Sequence, residues 1–385
     1  MINLKLVTLK NNFFSNNFEN PTAKWLLDFF ILYISKQMTF LFLYTEIAEY
    51  FLACCKELAK HGDVHVIRWP VNKEAPFQFQ ENHALKIYSK ADYNFTELQQ
   101  LVAKINPDVI ICSGWIDKDY LKITKPYFKK IPTIMTCDTH WNGSLKQRIA
   151  TVISRFTLLN IFSHAWVPGQ IQKQYVLNLG FKEPNIQTSF YSCDLNHFES
   201  IYQSQKAQKQ TQFPKRFLYV GRYYEFKGIK ELWQAFIELQ NEQTNDWELW
   251  CLGIGDIKPI NHPKIKHFGF VQPKDLATYT SQTGVFILPS RFEPWGVVVH
   301  EFAASGFPLL LSDAVGAKEQ FLEENKNGFS FKSQDVSDLK NVLKKIIYSS
   351  EQDLQSMSVH SHKLAQLISP KKWTDNLLKM AQSKF

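Results

Sequence analysis

The chain has 385 residues, enough for two domains of about 150 residues each. With 45% hydrophobic, 15% aromatic and 21% charged residues it can bury large cores, which places it among globular proteins. A net charge of +8 favours an anionic partner and leaves nucleotide phosphates, an anionic membrane surface and nucleic acid all open as that partner.

Residues 1–37 read as an extension before the first domain, or as a mis-assigned start. Within them 26–34 are apolar but interrupted by Asp28, and too short for a bilayer, which needs about 20 residues. No small-residue cleavage site follows, which argues against a secretory leader. At Met38 the pattern changes, and from there strands and helices alternate. Residues 40–44 read as a strand, 46–60 as an amphipathic helix closed by Gly62, and 64–69 as a second strand. A helix over 95–105 and the pair Pro107-Asp108 lead into a buried strand at 109–112. A further strand at 132–137 ends in Asp138-Thr139-His140-Trp141.

The segment 145–162 carries apolar residues at 145, 149, 152, 153, 156 and 159, flanked by Lys146, Arg148 and Arg155. Two arrangements suit such a helix. The commoner packs the stripe on the core with a basic edge in water; the other lays it on an anionic membrane. Residues 202–215 are polar without an apolar period, and read as a linker between domains. Strands follow at 217–220, 248–252, 265–268, 285–288 and 308–311, with helices at 228–240, 274–282, 297–305 and 335–348. This alternation predicts βαβ units and parallel sheets, hence an α/β fold of two doubly wound, Rossmann-like domains at 38–201 and 216–369, followed by a segment at 370–385.

Six cysteines stand at 54, 55, 112, 137, 193 and 251, without a C-x-x-C pair and mostly inside apolar runs. They read as buried free thiols of a reducing, cytoplasmic compartment.

In open parallel sheets ligands bind beyond the carboxyl ends of the strands. Those ends carry two cations, Arg222 and Lys227, at the start of the helix that follows 217–220, where a diphosphate would also meet backbone N–H groups. The other reading is a solvated loop with two surface cations. The stretch Ser290-Arg291-Phe292-Glu293-Pro294-Trp295-Gly296-Val297-Val298-Val299-His300-Glu301 follows the strand at 285–288. On one continuous helix its glutamates would stand on the order of 12 Å apart along the axis, so they cannot act as one close pair. The Pro-Trp-Gly break puts Glu293 in a loop and Glu301 on the next helix, each reaching a different part of one elongated ligand. That helix would point its positive end at whatever Glu293 holds. Gly253-Ile254-Gly255-Asp256 looks like the start of a dinucleotide fingerprint, but no third glycine follows, which argues against a nicotinamide cofactor.

Together, Gly221-Arg222 with Lys227-Gly228, Gly269-Phe270-Val271, Glu293-Pro294-Trp295-Gly296 with Glu301, Gly306 with Pro308, Gly316 with Glu319, and Asn327-Gly328 resemble the retaining, nucleotide-sugar-dependent glycosyltransferases of the GT-B fold, group 1 or family 4. The motifs cover about 215–332. The resemblance implies an acceptor-side first domain and a donor-side second domain across a cleft. It implies that Arg222 and Lys227 hold the diphosphate, Glu293 the sugar and Glu301 the ribose. Gly221, Phe270, Val271, Pro294, Trp295, Gly296 and Val297 would line the donor site. His140 matches the family's histidine near the reacting sugar, and Asp138 would orient that ring or bind acceptor hydroxyls. The family's glycine-rich loop after the first strand is missing; Tyr44-Thr45-Glu46 stands there. The resemblance further implies a metal-independent transferase with no cofactor beyond a UDP- or GDP-sugar as co-substrate. Its acceptor would be a glycan or lipid-linked molecule in envelope polysaccharide synthesis, with peripheral membrane contact and no nucleic acid. Three rivals stay open: a non-catalytic binding module of the same fold, a basic nucleic-acid-binding protein, and a pyridoxal-phosphate phosphorylase.

Overall fold

The computed structural model describes residues 37–70 and 84–383. The extension at 1–37, with its apolar run at 26–34, lies outside the described residues apart from Gln37. Seven strands form the first sheet: β1 (Met38–Tyr44), β2 (Gly62–Arg68), β3 (Leu85–Ser89), β4 (Val109–Ser113), β5 (Thr133–Thr136), β6 (His164–Trp166) and β7 (Ile186–Gln187). Six form the second: β8 (Arg216–Val220), β9 (Glu248–Leu252), β10 (Ile265–His267), β11 (Val285–Leu288), β12 (Leu309–Ser312) and β13 (Gly328–Phe331). Every ladder is parallel. The orders are β3-β2-β1-β4-β5-β6-β7 and β10-β9-β8-β11-β12-β13, so each domain is doubly wound and reverses direction between its first and fourth strands.

Burial on both faces explains the unbroken apolar runs of these strands. In β1, Phe40, Phe42 and Tyr44 enter one core with the helix Glu49–Leu58. Leu41 and Leu43 enter the opposite core with Leu98, Val102 and Tyr120. The last helix, Pro370–Ala381, crosses back from the second domain. Its Trp373 lies 5.9 Å from Phe42 and 4.8 Å from Trp166, ring centre to ring centre. All six cysteines are free and buried.

Two segments differ from their sequence reading. The polar stretch 202–215 is helical as far as Thr211, as the second half of the helix Leu195–Thr211. Its inward face, Phe198, Ile201, Tyr202, Gln205 and Lys209, has the helical period, but two of its positions are polar and hid it. Those two have compensating partners: Gln205 Nε2 donates to Thr280 Oγ1 at 2.8 Å, and the Lys209 ammonium lies 3.8 Å over the Phe307 ring. The helix Leu145–Ser154 is also oriented against the commoner expectation. Gln147 and Ser154 are buried, whereas Leu145, Ile149, Val152, Ile153 and Phe156 are exposed. Polar contacts fix that orientation: Gln147 Nε2 donates to the His140 carbonyl at 2.7 Å and Ser154 Oγ to the Leu179 carbonyl at 2.6 Å. Among the described residues no helix is long and apolar enough to cross a membrane.

Candidate active site

The loops after β8 and β11, the two strands at the reversal point of the second sheet, carry the residues that sequence reading singled out. After β8 the chain makes a turn at Glu225–Lys227 and enters the helix Ile229–Glu242 through Gly228, which is left-handed at φ 68°. A Cβ there would stand 2.0 Å from the Pro289 carbonyl oxygen, so only glycine lets the two loops approach this closely. That approach brings Lys227 onto Glu293: the ammonium makes an ion pair with Oε2, and Ser290 Oγ donates to the same oxygen at 3.2 Å. Both side chains of the pair are largely buried. Arg222 is exposed on the same loop and lies 5.3 Å over the Tyr224 ring; Tyr224 packs 5.6 Å from Phe226, and Lys227 lies 5.6 Å over Phe226. The two cations therefore bracket one aromatic pair.

The Glu293 loop is clamped by backbone bonds. Gly316 N donates to the Glu293 carbonyl at 3.0 Å and Ala317 N to the Trp295 carbonyl at 2.9 Å. Gly296, left-handed at φ 95°, ends the loop and starts the helix Val297–Ala304 without a side-chain cap. Glu293 thus stands in the loop and Glu301 on the helix. Glu301 is partly accessible to solvent but sits deep among protein atoms; burial, then the nearby Asp194 carboxylate, pushes its carboxyl up to about 7. Its neighbour His300 anchors the helix: Cys193 N donates to Nδ1 at 3.1 Å, Nε2 donates to the Ala365 carbonyl at 3.0 Å, and burial pushes the imidazole down to about 4.

Val297 begins that helix. Gly221 follows β8 and donates to the Leu252 carbonyl at 3.0 Å. Phe270 and Val271 lie beyond the carboxyl end of β10, on the same sheet edge but two strands from β8. The Gly253–Gly255 loop is joined to the β8 loop, with Tyr223 N donating to the Ile254 carbonyl at 2.8 Å.

The first domain meets this site directly. The His140 ring packs 5.4 Å from Phe292, next to Glu293. Gln172 Nε2 donates to the Pro294 carbonyl at 2.5 Å, and Gln170 N to Glu319 Oε1 at 2.6 Å. Asp138 accepts from Tyr191 OH at 3.2 Å. Its carboxyl is pushed up from the usual range by burial, against the Tyr191 bond, with the Glu293 charge adding across the cleft.

Sequence reading missed the cavity beside them. It has a volume of about 520 Å³ at the reversal point of the first sheet, lined by Tyr44–Glu46 after β1, Ser113–Ile116 after β4 and Thr136–Thr139 at the end of β5. Tyr50, Tyr191 and Trp373 add aromatic lining to the same cavity as Asp138. Tyr50 also feels the charges of both Asp138 and Glu301, so the cavity and the second-domain acids lie within electrostatic reach of each other. Its lining comes from segments far apart in sequence, which no single motif displays.

Residues 202–358 match the family described as Glycosyl transferases group 1. The matched segment contains Gly221, Arg222, Lys227, Phe270, Val271, Glu293 to Val297 and Glu301. An uncharacterized glycosyltransferase of Methanocaldococcus jannaschii is 29% identical over 124 residues, 30% of this chain; the match spans 31% of that protein's own length. Across both domains the GT-B fold recurs in solved structures. HepE of Anabaena, in complex with UDP and glucose, superposes with a TM-score of 0.65 at 15% identity, over 89% of this chain and 98% of that one. WaaG, a glycosyltransferase involved in lipopolysaccharide biosynthesis, superposes with a TM-score of 0.63 at 12% identity, over 90% and 100%.

Proposed function

We propose that the chain is a retaining glycosyltransferase that moves a sugar from a nucleotide diphosphate to an acceptor hydroxyl held in the first-domain cavity. The observation that carries this reading is the Lys227–Glu293 pair at the reversal point of the group 1 domain, faced across the cleft by Asp138 and His140. The donor lies along that edge: Arg222, Lys227 and the N-terminus of Val297–Ala304 take the diphosphate, Glu293 the sugar hydroxyls and Glu301 the ribose. Phe270 and Val271 border the base. UDP and GDP are the candidate carriers; the Anabaena structure contains UDP.

Glu293 is bonded to Lys227 and Ser290, so it orients the sugar instead of attacking it. The acceptor oxygen approaches the anomeric carbon from the face the phosphate leaves. The new C–O bond forms as the C–O bond to phosphate breaks, and the acceptor proton passes to the departing phosphate oxygen, which keeps the configuration. Two cations and a helix N-terminus balance the leaving charge, so no metal step is needed. The acceptor is a glycan or lipid-linked molecule of envelope polysaccharide synthesis, and the enzyme works in the cytoplasm.

A thermal-shift panel of nucleotide diphosphates and their sugars identifies the donor, and proton NMR of the product reads the anomeric configuration. Donor binding without turnover would make the chain a binding module; an inverted product would overturn the mechanism.

A further inference from the structure

Between the two domains the chain runs through residues 188–194, and this crossing is bonded on both sides. Toward the first domain, Trp166 Nε1 donates to the Thr188 carbonyl at 3.2 Å, Ser189 N to the Pro168 carbonyl at 3.0 Å and Phe190 N to the Val167 carbonyl at 3.2 Å. Toward the second, Cys193 N donates at 3.1 Å to Nδ1 of His300, the residue before Glu301. Asp194 then caps the helix Leu195–Thr211 by accepting from His197 N at 3.2 Å.

Tyr191 stands in the middle of this crossing. Its ring packs against the apolar cores of both domains, edge-on to Tyr50 at 5.7 Å and 4.5 Å from Phe190. Its hydroxyl donates to Asp138 Oδ2 at 3.2 Å, and both residues line the first-domain cavity. Packing accounts for the ring, since phenylalanine would fill the same space. It does not account for the hydroxyl, because burying one costs free energy unless it is bonded, and here the bond goes to the acid that faces the donor loop.

Asp138 has little local structure to hold it. It lies two residues beyond the end of β5, in a loop that runs on to the helix Leu145–Ser154. A carboxylate on a loop turns freely among rotamers unless something fixes it. The Tyr191 hydroxyl fixes one of its oxygens. Two residues of chain span at most about 7 Å, so Tyr191 also stays close to the Cys193–His300 contact and hence to the helix that carries Glu301.

We propose that Tyr191 is a positioning residue for sugar transfer: its hydroxyl holds Asp138 through Oδ2, so that Oδ1 accepts from the acceptor at a fixed place relative to the donor. The proposal rests on the transferase reading and adds to it the part that registers the acceptor against the donor domain. Oδ1 takes its hydrogen bond from a hydroxyl beside the attacking one, or from the second O–H when water attacks. The attacking proton is thus left to pass to the departing phosphate oxygen, and Asp138 takes up no proton.

The test is a double-mutant cycle of wild type, Tyr191→Phe, Asp138→Ala and the double variant, read as consumption of UDP- and GDP-sugars with water or p-nitrophenyl glycosides as acceptor. Tyr191→Phe, which keeps the ring and loses one oxygen, should slow turnover by about tenfold. Its Kd for the nucleotide diphosphate of the consumed sugar, from calorimetry, should equal that of the wild type. Asp138→Ala should slow turnover at least as far, and the double variant should run at the rate of Asp138→Ala, because the Tyr191 hydroxyl then has nothing to hold. Losses that multiply in the double variant overturn the proposal, since Tyr191 would be acting on something other than Asp138. A wild-type rate in Tyr191→Phe overturns it too. So does slow turnover in Tyr191→Phe together with weakened nucleotide binding, the mark of a residue that merely joins the domains. Those three results leave the transferase reading standing, whereas a wild type that consumes no nucleotide sugar overturns that reading and the proposal with it.

Discussion

Glu301 offers the sharpest test of how the donor is held. Burial and the Asp194 carboxylate push its carboxyl up to about 7, well above the ordinary carboxylate range. Ribose hydroxyls donate to a carboxylate, so the donor binds the ionised form and must displace a proton from the acid. With a midpoint near 7, the ionised fraction rises from about one tenth at pH 6 to about nine tenths at pH 8. Donor affinity should therefore increase about tenfold across that window, about 1.4 kcal/mol. Isothermal titration of the best nucleotide sugar at pH 6, 7 and 8 measures the slope. Glu301→Gln has no charge to change, so its affinity should stay nearly flat; other titrating groups are common to both proteins and cancel in the comparison. The same shift has a stability consequence of opposite sign. A carboxyl whose folded pKa is raised supports the fold below its unfolded pKa and loses that support as pH rises through about 7. The ligand-free protein should thus melt at a lower temperature at pH 8 than at pH 5, by a margin that Glu301→Gln reduces. Equal pH slopes for donor binding in the two proteins would refute this placement of Glu301.

Glu293→Gln should lower kcat by about a hundredfold with little change in melting temperature, because it misorients the sugar without opening a cavity. Gly228→Ala should destabilise the chain by about 1–3 kcal/mol in thermal unfolding and also slow turnover, since a Cβ at 2.0 Å from the Pro289 oxygen pushes Lys227 away from Glu293. Trp373→Ala should cost about 3–5 kcal/mol, because the last helix packs into the first-domain core through that ring. Treatment with EDTA should leave turnover unchanged; a loss restored by a divalent cation would contradict charge balance by Arg222, Lys227 and the helix N-terminus.

The fold was legible wherever apolar period and turn chemistry agreed. The long strands β1, β8, β9 and β11 and the helices Phe95–Ile105 and Val336–Tyr348 lie within two residues of their sequence reading. The strands β6 and β7, of three and two residues, are too short to show a period, and their register comes from the sheet alone. The helix Leu195–Thr211 was hidden because Gln205 and Lys209 occupy inward positions. In the second domain Lys227, Glu293 and Glu301 could be named because a motif places each in the segments that follow β8 and β11. The first-domain cavity could not, because Tyr44, Ser113, Asp138, Tyr191 and Trp373 meet only after both sheet faces are covered. The stripe at 145–156 was visible as a pattern, yet its direction depended on Gln147 and Ser154 finding backbone partners, which no periodicity reports.

Consumption of nucleotide sugars by the wild type beside Lys227→Ala, Glu293→Ala and Arg222→Ala tests the central claim most directly. At least one nucleotide diphosphate sugar should be turned over, with each variant slowed by about a hundredfold while melting within a few degrees of the wild type. Wild-type rates in those variants, or no nucleotide sugar consumed by the intact chain, would contradict it.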